Sequence, residues 1–210
     1  MTSVNQQDVD EALRTIDNHV SSIGDQIIQP ISGQTDSGKQ VQGRVVQHGQ
    51  QKYQILAVVG ESAVQIRYVF DAAEAIAVQR AITDGGRSTT TPNQQVNIAP
   101  EQIAHAKDEL QDAAEDEDHL KKIRQGVIDR ISEPSIAANL KTDEFFVYGF
   151  EVSASLYPFH DDVDIATFSE KVQTVVSLGW KAQSYLVTEY DLRSLLNGGP
   201  SSHDGPRGFQ

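Results

Sequence analysis

The chain has 210 residues, with 17 Lys and Arg against 30 Asp and Glu, a net charge of −13 and no cysteine. That balance argues against nucleic acid and anionic membrane surfaces as partners, since both are held by clustered Lys and Arg. It also excludes disulfides, thiolate catalysis and cysteine-based zinc sites.

Asp outnumbers Glu 18 to 12, Lys is scarce at 8 and Gln abundant at 21. Acidic, Lys-poor surfaces stay hydrated in concentrated salt. At molar ionic strength the Debye length is about 3 Å, so such charges repel only at close range. The composition predicts a salt-adapted protein. No basic-then-apolar leader opens residues 1–15 and no run of 18 apolar residues occurs, so a cytoplasmic location is expected.

Residues 8–28 predict a helix. Asp8 and Glu11 stand at capping-box spacing, and Val9, Leu13, Ile16, Val20, Ile23 and Ile27 draw one apolar stripe, with Pro30 closing it. Residues 31–40 read as a flexible Gly/Ser connector. They hold Gly33, Gly38 and Lys39 at phosphate-loop spacing, but Gln40 stands at the Ser/Thr position and the flanks are helix then strand, the wrong order for that motif. Val41–Gln47, Tyr53–Val59 and Ala63–Phe70 predict an antiparallel meander, because the loops between them are short. In the third strand Val64, Ile66, Tyr68 and Phe70 share a face opposite Gln65 and Arg67.

Asp71 and Glu74 then predict a capped helix that ends near Asp84. Residues 84–99 read as a linker, and 100–132 as a helical insertion of two helices or one bent helix. One more helical turn is expected within 135–142. Phe145–Leu156 predicts a long strand, bent or folded into a hairpin around Gly149. A helix follows from Asp164, with Phe168, Val172, Val175 and Val176 on its core face and Gly179 as its cap or break. Trp180–Leu196 continues it or forms another, and 197–210 is expected to be a disordered tail. The expected fold is α+β: an antiparallel sheet of about four to five strands flanked by helices, in one domain over 1–196.

No catalytic signature stands out. Glu101 with His105 and Asp116 with His119 have helical spacing, yet no Glu-x-x-His pair accompanies them, so an acidic solvated face explains them more simply than a metal site. The cluster His160, Asp161, Asp162 and Asp164 lies between strand and helix but lacks the glycine and late glutamate of a calcium loop. An enzyme would most simply use that cluster. No Gly-x-Ser-x-Gly elbow exists. No catalytic, metal or cofactor-binding residue is assigned and no cofactor is expected. The candidate binding surface is Phe145, Tyr148, His160, Asp161, Asp162 and Trp180.

The order helix, three strands, helix, insertion, strand, helix resembles the type III secretion chaperone-like fold, including the YbjN-like proteins. The meander Val41–Phe70 with the helix at Asp71 carries the likeness, as does Gly149–Pro158 leading into Phe168–Gly179. The resemblance implies a non-enzymatic, often dimeric protein that binds segments of partner proteins, and it brings no site residues. The resulting expectation is a protein-binding adaptor or chaperone-like module that forms a homodimer or homo-oligomer. The alternative is a structural subunit of a larger homo-oligomeric or viral assembly.

Overall fold

The computed structural model describes residues 4–84, 98–114, 116–159 and 163–192. Among the described residues there are five helices and a six-stranded antiparallel sheet, in the chain order one helix, four strands, three helices, two strands and one helix, and the strand order in the sheet is β1-β2-β3-β4-β6-β5. The α+β class is as expected, and β1 and β5 raise the strand number to six.

Helix α1 (Gln6–Ser22) starts one cap earlier than the Asp8 spacing suggests. The Asn5 side chain accepts from the Gln7 and Asp8 amides, and Asp8 reaches back to the Asn5 amide at 2.8 Å. It also ends six residues before the expected end. Gly24 takes φ +82°, its amide bonds to Ser21 and the Asp25 amide bonds to Val20. This pair of bonds is a Schellman stop, which favours glycine at the left-handed position. Ile27 therefore belongs to a strand and Pro30 does not close the helix.

Strand β1 (Gln26–Gln34) replaces much of the expected connector, and β2 (Gln40–His48) follows in an antiparallel hairpin. The Thr35 amide donates to the Lys39 carbonyl across its turn. Gly33, Gly38 and Lys39 thus belong to a strand end and a hairpin turn, and Lys39 pairs with Glu61 at 3.1 Å. Strand β1 escapes a period-two reading because it is exposed along most of its length. Strands β3 (Gln51–Val58) and β4 (Val64–Asp71) complete the expected meander in register.

Helix α2 (Ala72–Asp84) is capped as expected, with the Glu74 amide donating to Asp71 at 2.9 Å. The insertion is two helices, α3 (Pro100–Asp112) and α4 (Glu117–Ile131). The helical turn expected within 135–142 is instead strand β5 (Ala137–Asp143). It turns at Glu144, φ 50°, into β6 (Phe146–Leu156), so the hairpin lies before Gly149. Helix α5 (Ile165–Glu189) is one continuous helix of 25 residues, capped by Asp164 at 2.7 Å from the Thr167 amide. Gly179 neither caps nor breaks it. The expected linker over 84–99 and the tail over 197–210 fall largely or wholly outside the described residues.

The chain divides into two compact units interleaved in sequence. The first takes residues 1–69, 131–139 and 151–181, and the second takes 70–130, 140–150 and 182–210. The first unit buries one face of the sheet. Val46, Tyr53, Ile55, Ala57, Ile66 and Tyr68 of the sheet, Leu13, Ile16 and Val20 of α1, and Phe168, Val172 and Val175 of α5 are all closed to water. The second unit packs α2 against α3. It buries Ile76, Leu110, Ile123, Val127, Phe150 and Leu186, and the Tyr190 hydroxyl donates to the Val147 carbonyl at 2.9 Å.

Within the first unit the Tyr68 ring lies directly on Gly179, where an added Cβ would fall inside contact distance of the ring carbons. The Tyr68 hydroxyl is also tied to Gln51 Oε1 at 2.9 Å, so the ring cannot swing aside freely. Alanine gains about 1 kcal/mol over glycine in a helix, but overpacking a closed core costs about 1–3 kcal/mol. Gly179→Ala should therefore lower the urea midpoint without changing the denaturant slope. A higher midpoint would show that the contact is loose.

Candidate functional site

The first unit carries an open groove of about 590 Å³ between α5 and the β2–β3 turn. His48, Gln50 and Gln51 line it from the turn side. Gln173, Val176, Ser177 and Trp180 line it from one stripe of α5, spaced three and four residues apart as helix geometry requires. Trp180 is 48 % exposed, and it is the chain's one tryptophan. Val176 beside it is buried.

Behind the groove stands a carboxylate held by two donors. The Asp25 side chain is only 4 % exposed. Tyr53 donates its hydroxyl to Asp25 Oδ2 at 3.0 Å, and His48 Nδ1 lies 2.8 Å from Oδ1. A carboxylate only accepts, so His48 donates to it through Nδ1. The Schellman stop at Gly24 delivers Asp25 to this position. Burial, reinforced by the Asp25 charge and hydrogen bond, pushes the Tyr53 phenol well above its ordinary range. Burial also raises Tyr68 to about 12.

The network has the His–Asp half of a nucleophilic triad, yet no hydroxyl is hydrogen-bonded to the outer nitrogen of His48 among the described contacts. What the arrangement does chemically is fix the orientation of His48 and present uncharged donors and acceptors beside an exposed indole.

Of the residues expected to form a binding surface, Trp180 lies in the first unit and Phe145 and Tyr148 in the second. Lys107 Nζ sits 3.8 Å from the Tyr148 ring centroid, and Lys121 Nζ sits 5.1 Å from that of Phe145. Each ring face is thus already met by a cation of α3 or α4. Phe145 keeps 40 % exposure. His160, Asp161 and Asp162 lie outside the described residues. His105 faces Glu109, which also binds Arg80, and His119 faces Glu189 at 3.4 Å while Asp116 caps its backbone amide. The Arg80 bond holds the Glu109 carboxyl below the ordinary carboxylate range. Among the described residues no group of three or more His, Asp or Glu is placed to hold a metal, and no helix is long and apolar enough to cross a membrane.

Asp25 and His48 were not singled out by the sequence. Their 23-residue separation is invisible to local pattern, and the one available signal was Gly24 interrupting the apolar stripe just before an aspartate.

No family model matches the chain, and no curated protein matches it. Among solved structures it is similar to an uncharacterized protein from Methanothermobacter thermautotrophicus. The TM-score is 0.53 and the identity 10 %, over 87 % of this chain and 98 % of that one. At that identity the likeness establishes a shared fold.

Two outcomes follow for the groove's support. Asp25→Ala strands the Tyr53 hydroxyl and the His48 imidazole, and should cost about 1–3 kcal/mol in chemical denaturation. The folded chain holds the Tyr68 proton to about pH 12, whereas the unfolded value is 10.0. That contribution to stability is therefore complete below about pH 10 and is lost as pH rises from about 10 to 12, with Tyr53 and Tyr190 acting in the same direction. Tyrosinate absorbance and far-UV circular dichroism should change together in that window. Ionisation of all six tyrosines with the fold intact would refute it.

Proposed function

We propose that the protein is a non-enzymatic, protein-binding adaptor or chaperone-like module of a salt-adapted cytoplasm, which captures a segment of a partner protein in the groove of its first unit. The observation that carries this reading is the exposed Trp180 beside Val176, set over a groove with uncharged polar walls. Large, rigid aromatic side chains at the centre of such a surface dominate recognition energies, while the polar rim supplies register. The rigid backing from Asp25, Tyr53 and Tyr68 favours binding, because a preformed surface loses little entropy on association. Self-association as a homodimer or homo-oligomer belongs to the same reading.

The test is size-exclusion chromatography with light scattering in molar salt on protein isolated from its own cells, followed by identification of what co-elutes. A partner protein should co-elute with the wild type and be lost from Trp180→Ala. The variant should retain stability within about 0.5 kcal/mol, since an exposed side chain supports little of the fold. A monomer with nothing bound overturns the reading. Large homogeneous particles of this chain alone would favour a structural subunit instead.

A further inference from the structure

We draw no further inference here: the strongest candidate, the open groove between α5 and the β2–β3 turn with the exposed Trp180 on its wall, belongs to the site already described, and nothing in the structure shows what covers it.

Discussion

The first unit depends on the contact between the Tyr68 ring and the bare Cα of Gly179. A side chain at 179 would hold helix α5 away from the sheet. Without one, the helix settles onto the ring, and Phe168, Val172 and Val175 reach the core. Successive helical residues point about 100° apart, so seating Gly179 inward turns Trp180 toward the rim. The same ring is pinned at its hydroxyl by Gln51, a wall of the groove. One glycine thereby sets both the closeness of helix to sheet and the direction of the exposed indole.

Much of this was legible in the residues, and the failures have physical causes. The meander β2–β4 and the Asp71 and Asp164 caps follow from alternation and from short polar side chains placed where a helix must begin. The end of α1 was misread because Ile23 and Ile27 continue the helical stripe by coincidence, so the periodicity outvoted the signal at Gly24. Strand β5 was misread because Ala137–Asp143 pairs at the edge of the sheet and mostly faces solvent. An edge strand needs no apolar alternation. Gly179 looked like a break because its propensity is poor, whereas its value lies in a ring more than a hundred residues earlier in the chain. Trp180 is a candidate by its residue type alone, and its side chain is exposed. The lysines over Phe145 and Tyr148 come from helices α3 and α4, and no local pattern announces them.

Charge has a different role from the one its abundance suggests. The ion pairs join partly exposed side chains, such as Arg44 with Asp17 and Lys141 with Asp71, each at 3.0 Å. Pairs of this kind contribute about 0–1 kcal/mol and weaken further in salt. The fold is held by its apolar core and by the tyrosine hydroxyls that end in it.

The hairpin partner of β2 has a consequence of its own. Strand β1 lies at one end of the sheet, contains Pro30, and slips register between Ile27 and Gln29. Missing amide hydrogens and local irregularity are what stop an open edge from templating growth by stacking copies side by side. In dilute buffer the net negative charge would keep copies apart anyway. In a concentrated electrolyte that protection fades, and at the β1 edge resistance to fibrous aggregation passes from electrostatics to the backbone shape of the strand.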